Sequence, residues 1–69
     1  MNEDIFKGQW NQFKGSVKQT WGKLTDNDIA MVEGSYDKFV GVLQERYGWE
    51  REQAEREVTD YFDRQTSMR

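Results

Sequence analysis

Hydrophobic residues recur at helical spacing through the first third of the chain. With 100° of rotation per residue, five of them fall within an arc of about 80°, which is the narrow apolar stripe of an amphipathic helix. The five residues are Phe6, Trp10, Phe13, Val17 and Trp21. Gly22 follows directly and fits the position at which a left-handed residue ends a helix. The pattern therefore predicts a first helix that stops at Gly22.

A helix start signal comes immediately afterwards. Thr25 is placed as the N-cap, and Asp28 is the acidic residue three positions on that completes a capping box. Leu24 and Ile29 occupy the two positions of a hydrophobic staple, which fixes the direction in which the chain enters the helix. We predict a short second helix over about residues 26–33.

Glycine also punctuates the rest of the chain, which contains no proline. We expect Gly34 to end the second helix, Ser35 to cap a third, Gly48 to stop that one, and a fourth to cover about 50–64. The inward-facing residues would be Tyr36, Phe39, Val40, Leu43 and Tyr47 in the third helix and Ala54, Val58, Tyr61 and Phe62 in the fourth. The sequence thus predicts a single all-α domain over 1–69, with four short helices forming two orthogonally packed helical hairpins.

Composition bounds the class of protein. The 69-residue chain has a mean hydropathy of -1.09 and only 35% apolar residues, but its net charge is just -3 and 14% of its residues are aromatic. Disordered chains carry few aromatic residues, so a compact core is expected. There is no cysteine, no secretory signal pattern and no long apolar run. We expect a soluble, cytoplasmic monomer.

The residues that most enzymes use are missing. Histidine and cysteine are both absent, which removes the commonest general base and the thiol nucleophile. Ser16, Ser35 and Ser67 have no nucleophile-elbow context, and the acidic run 26–28 is too short for a calcium loop. We therefore expect no catalytic, cofactor or metal site.

The polar side of the first helix is the candidate partner surface. Residues 1–24 carry four lysines against two acidic residues, whereas the rest of the chain is acidic. Gly8 and Gly15 lie opposite the apolar stripe, and each costs about 0.5–1 kcal/mol relative to alanine. Either nothing selected against these glycines, which is the reading that we prefer, or another backbone approaches them closely, or the helix is kept marginally stable. The surface consists of Lys7, Gly8, Lys14, Gly15 and Lys18, and an unidentified protein is its candidate partner.

Nucleic-acid binding is an alternative that the hairpins raise. Helix-hairpin-helix motifs hold phosphate with backbone N–H groups, in a turn that reads glycine, hydrophobic residue, glycine. Thr25 and Glu50 stand where the second glycine would be, and Asp26, Asp28 and Glu52 follow. We expect these turns to present carboxylates where a phosphate would dock, which disfavours nucleic acid as a partner.

Membrane-surface binding is a second alternative. Basic amphipathic helices that contain tryptophan can lie in a membrane interface, and the first helix has this composition. The same aromatic residues are needed for the only core that the chain can build. A membrane partner is therefore disfavoured as well.

Three sequence blocks together resemble a known family. Residues 7–28 read K-G-x-W-x-x-F-K-G-x-V-x-x-x-W-G-K-L-T-D-N-D, residues 44–49 read Q-E-R-Y-G-W, and residues 54–58 read A-E-R-E-V. This pattern is similar to that of the CsbD-like family of small bacterial general stress proteins. The resemblance implies a small cytoplasmic protein with helical hairpins of the SAM-like and helix-hairpin-helix group. It brings no catalytic or binding residues with it.

Overall fold

The computed structural model describes the backbone of residues 3–67, and the side chains of that range except residues 3, 13 and 65–67. Within it lie the helices α1 (Glu3–Thr20), α2 (Asp26–Val32), α3 (Tyr36–Tyr47) and α4 (Arg51–Ser67). This part of the chain contains no β-strand, which confirms the all-α class. None of these helices combines the length and apolar character that a bilayer crossing requires.

The predicted apolar stripes meet in one core. Trp21 is 3% exposed and lies edge-on to Phe39, with ring centroids 5.2 Å apart, and 5.0 Å from the ring of Tyr61. Phe6 is fully buried, and its ring centroid is 5.5 Å from that of Phe62. The Phe13 side chain, which the sequence places in the same stripe, lies outside the described residues. Aromatic rings from α1, α3 and α4 therefore form the centre of the molecule.

Local signals set the helix ends where the sequence predicts them in three cases. The Thr25 hydroxyl accepts a hydrogen bond from the Asp28 N–H at 3.1 Å, and the Asp28 carboxylate accepts one from the Thr25 N–H, also at 3.1 Å. Ser35 caps α3 by accepting from the Lys38 N–H. Gly48 ends α3 in the left-handed conformation, with φ of 72°.

Three predicted boundaries are wrong in detail. Gly22 is not left-handed, because the Leu24 N–H donates to the Trp21 carbonyl at 3.0 Å and closes a tight turn instead. At the end of α2 it is Glu33, with φ of 50°, that forms the C-cap. The last helix begins at Arg51 and extends to Ser67, beyond the predicted limit at residue 64.

Gly34 is the glycine that the packing requires. Its φ is 79°, and a Cβ atom there would lie 3.2 Å from Cγ of Lys7 and 3.5 Å from Cβ of Trp10. A side chain would thus be strained in its backbone conformation and would also press on α1. Glycine at this position therefore allows α1 to pack closely against the turn between α2 and α3.

Candidate functional site

An open groove runs between α1 and α2. Its volume is about 650 Å³, and its lining includes part of the predicted partner surface. The lining residues are Lys7, Trp10, Asn11, Lys14, Gly15, Lys18, Asp26, Ile29, Ala30, Glu33 and Gly34. Helices contribute all of these except Glu33 and Gly34, which belong to the turn after α2. The groove therefore has walls of regular structure.

The two walls carry opposite charges. Lys7, Lys14 and Lys18 follow one another at spacings of seven and four residues, which places them along one side of α1. Asp26 and Glu33 lie across from them, at the two ends of α2. Lysines on one wall and carboxylates on the other give the groove a direction that a charged partner could recognise.

Lys14 and Lys7 are the lysines of this wall that are available to a partner. The Nζ atom of Lys18 lies 3.0 Å from Oδ1 of Asp26, with side-chain exposures of 53% and 83%. An exposed pair of this kind stabilises a fold by less than about 1 kcal/mol. Neither Lys7 nor Lys14 has an ion-pair partner among the described residues. Their charges are therefore unneutralised at the rim.

The two glycines of the predicted surface separate in the structure. Gly15 lines the groove, and Gly8 does not. A Cβ atom would meet nothing within 4 Å at either position, so the packing of this chain requires glycine at neither. Lys7, Lys14, Gly15 and Lys18 are thus brought together, while Gly8 lies on α1 outside the groove. Only Gly15 leaves open space in the groove itself.

An ion pair that the sequence analysis missed holds α2 to α3. Asp28 is only 5% exposed. Arg46 donates hydrogen bonds to both of its carboxylate oxygens, with Nε 2.9 Å from Oδ2 and Nη2 2.8 Å from Oδ1. The hydrogen bond from Arg46, together with the one from the Thr25 N–H, lowers the pKa of Asp28 to about 2 despite the opposing effect of burial. The two residues are 18 positions apart, so no local pattern indicates their contact.

This ion pair corrects one part of the argument on phosphate binding. Asp28 does not face outward at its turn, because its carboxylate is buried and is bonded to Thr25 and Arg46. Asp26 is 83% exposed at its side chain, and Glu50 and Glu52 are exposed too. The turns thus present three of the four predicted carboxylates to an approaching phosphate.

The polar groups of the core are already engaged with each other. The hydroxyl groups of Ser16 and Tyr61 form a hydrogen bond between α1 and α4. At Tyr36, burial raises the pKa of the phenol group. Among the described residues, no buried side-chain nitrogen or oxygen lacks a hydrogen-bond partner. No three carboxylates in this range lie close enough together to hold a metal ion.

Comparison with known proteins places the chain in a family. The model of the CsbD-like family matches residues 4–56, which include the whole groove. The chain belongs to the CsbD-like family. It is 55% identical over 64 residues to UPF0337 protein YjbJ of Escherichia coli strain K12, a match that covers 93% of each chain.

Further relatives cover the chain to a similar extent. UPF0337 protein PA4738 of Pseudomonas aeruginosa is 52% identical, with 93% of this chain and 98% of that protein covered. UPF0337 protein ECA0631 of Pectobacterium atrosepticum is 54% identical, with 91% of each covered. CsbD-like proteins of other bacteria are therefore similar to this chain in length as well as in sequence.

Proposed function

We propose that this CsbD-like protein is a non-enzymatic, cytoplasmic stress-response protein that acts by binding another protein in the groove between α1 and α2. Family membership supports the link to stress. The observation that carries the choice of site is the pair of lysines, Lys7 and Lys14, whose charges have no ion-pair partner among the described residues beside an open groove. A non-enzymatic role accords with the absence of histidine and cysteine from the sequence.

The groove suits a segment that carries its own charges on two sides. Acidic side chains would meet Lys7 and Lys14, while basic ones would meet Glu33, because Asp26 is already paired with Lys18. From Lys7 to Lys18 the α1 wall is about 16 Å long, which matches roughly three turns of a bound helix. Helix-in-groove binding of this type needs apolar anchors, and half-buried Ile29 and exposed Ala30 offer apolar surface on the α2 wall.

We propose in addition that the helices form two orthogonal hairpins of the SAM-like and helix-hairpin-helix type. The salt bridge between Lys18 and Asp26 supports the pairing of α1 with α2. The salt bridge between Arg51 and Asp37, with Nη2 2.6 Å from Oδ1, supports the pairing of α3 with α4. In this arrangement the candidate groove belongs to the first hairpin alone.

Site-specific photocrosslinking in stressed cells tests the proposed site. A photoreactive amino acid at Asn11, which lines the groove, should give a discrete crosslinked product with one partner protein. The same probe at Thr59, an exposed position of α4, should not give that product. Equal product from the two positions would contradict the proposal.

The two glycines of α1 provide a matched pair of variants for this experiment. Gly15→Leu fills the groove and should abolish the product, whereas Gly8→Leu makes the same chemical change outside it and should not. Both variants should remain folded, because a Cβ atom meets nothing within 4 Å at either position. If Gly8→Leu and Gly15→Leu reduced the product equally, the groove would not be the contact site.

A further inference from the structure

The outer face of α3 combines apolar surface with two charges of opposite sign. Met31 is 57% exposed at the end of α2, and beside it lie Gly41, Val42, Lys38 and Glu45 of α3. Together these five residues line a shallow depression of about 300 Å³. We call this surface the α3 face. It does not overlap the groove proposed above, so the inference that follows is independent of that proposal.

The charges of the α3 face are symmetrically placed. Lys38 and Glu45 are seven residues apart, which is two helical turns or about 10.5 Å along the axis. The point midway between them falls between Gly41 and Val42. Neither Lys38 nor Glu45 has an ion-pair partner among the described residues.

This placement makes the face complementary to itself. If two copies pair with their α3 helices antiparallel about a two-fold axis at that midpoint, Lys38 of each copy faces Glu45 of the other. The same axis puts Val42 of each copy against Gly41 of the other. An isologous interface requires such self-complementarity, because one patch has to serve both sides. Two oppositely charged partners and an apolar centre are thus supplied by a single surface.

Gly41 and Met31 suit the centre and the edge of such a contact. Gly41 is exposed, and its missing side chain lets a second helix approach closely. Met31 is flexible and polarizable, so it can adapt to the neighbouring surface. The Val42 side chain is half-buried, which leaves part of it available above the helix.

We propose that the α3 face binds a second copy of this chain and forms a weak, two-fold symmetric dimer. One helix of 12 residues and one methionine cannot cover the roughly 800 Å² per partner of a standard interface. The dimer should therefore form at concentrations of about 0.1–1 mM, while the chain is a monomer at micromolar concentration. This refines the monomer expected from the sequence.

Charge reversal at the two positions tests the pairing. Sedimentation equilibrium up to about 2 mM protein, at low salt to limit screening, should show the wild-type dimer. Lys38→Glu and Glu45→Lys should each weaken it about tenfold, since each turns two attractive contacts into repulsive ones. The double variant should regain wild-type affinity, because every contact is then attractive again.

Net charge makes the Glu45→Lys result decisive. This change moves the net charge from -3 to -1, which weakens the general electrostatic repulsion between two copies. If net charge alone governed association, the variant would therefore associate more tightly than the wild type. Pairing through the α3 face predicts weaker association instead. Lys14→Glu, which alters the charge as Lys38→Glu does but lies on α1, should change the affinity much less than Lys38→Glu.

The neutral variant Gly41→Gln adds a steric test. It should abolish the dimer without unfolding the chain, because a Cβ atom at Gly41 meets nothing of its own chain within 4 Å. Circular dichroism of each variant checks that the helices are intact. A wild type that stays monomeric at about 2 mM would overturn the proposal. So would a dimer that tolerates both single reversals, or a double variant no better than the singles.

Discussion

At the scale of single residues, the stability of this small chain is concentrated in a few large side chains. Trp21 lies just after α1, yet it is 3% exposed and contacts rings of both α3 and α4. The second tryptophan beside a glycine turn, Trp49, is half-buried and stacks on Tyr47 at a centroid distance of 4.4 Å. Two residues of one type in similar local sequence thus differ in burial.

This difference gives the first stability prediction. Trp21→Ala should lower the free energy of unfolding by about 3–5 kcal/mol, because it removes a fully buried ring and leaves a cavity between three helices. Trp49→Ala is the matched control and should cost about 1–2 kcal/mol, since part of its ring already contacts water. Urea titrations followed by circular dichroism measure both values. A loss below about 1 kcal/mol for Trp21→Ala would contradict the described core.

At the scale of elements, the sequence predicts what is decided within a few residues. Thr25, Ser35 and Gly48 act within one helical turn of their own positions, so their roles could be read from the chain. The same reasoning predicts a left-handed Gly22, and that prediction is wrong. Trp21 and Leu24 are both buried on either side of Gly22. The hydrogen bond from the Leu24 N–H to the Trp21 carbonyl, 3.0 Å long, closes the turn without a left-handed residue.

Contacts between elements have no such local pattern. The lysine side of α1 follows from helical periodicity, so Lys7, Lys14 and Lys18 could be grouped from the sequence. The packing of α1 against α2 decides two further features, which the sequence does not show. It places the carboxylates of α2 across from the lysines, and it leaves Gly8 outside the groove. Arg46 could not be assigned to Asp28 for the same reason, since the pairing joins different helices.

The Asp28–Arg46 pair gives α2 and α3 a link that acid should break. The pKa of Asp28 is about 2 in the folded protein and 3.8 for the ordinary side chain, so the unfolded chain binds more protons between these values. Stability from this residue is therefore complete above about pH 4 and is lost as the pH falls through about 2. The contribution of Asp28 to the free energy of unfolding is at most about 2 kcal/mol, because the Arg46 side chain is 43% exposed and solvent screens the pair.

Urea titrations at about pH 5, 3.5 and 2.5 should show this loss in the wild type. Asp28→Asn should be less stable than the wild type at pH 5, and the difference should shrink as the pH falls. Asp26→Asn makes the same change at an exposed side chain two positions away and serves as the control. A stability difference between wild type and Asp28→Asn that did not depend on pH would contradict the assigned ion pair.

At the scale of the whole molecule, the charges are segregated between the two ends of the sequence. The net charge is -3 and the isoelectric point about 4.8, yet the N-terminal helix presents a row of lysines. A basic stripe on an acidic protein favours local contact with carboxylates over attraction of a polyanion from a distance. We therefore expect a protein partner rather than nucleic acid.

Duplex DNA provides the test of this balance. At about 0.15 M salt, wild-type protein at micromolar concentration should show no change in tryptophan fluorescence on titration with DNA, because exposed Asp26, Glu50 and Glu52 repel phosphate at both turns. A variant in which these three residues are neutral and Asp28 is unchanged tests whether the backbone of the turns can bind phosphate. Trp49 lies beside one of the two turns and should report such binding. If only this variant bound DNA, weakly and with an affinity that fell as salt rose, the three carboxylates would be the groups that prevent DNA binding by the wild type. Tight, strongly salt-dependent binding by the wild type would reverse the preference for a protein partner.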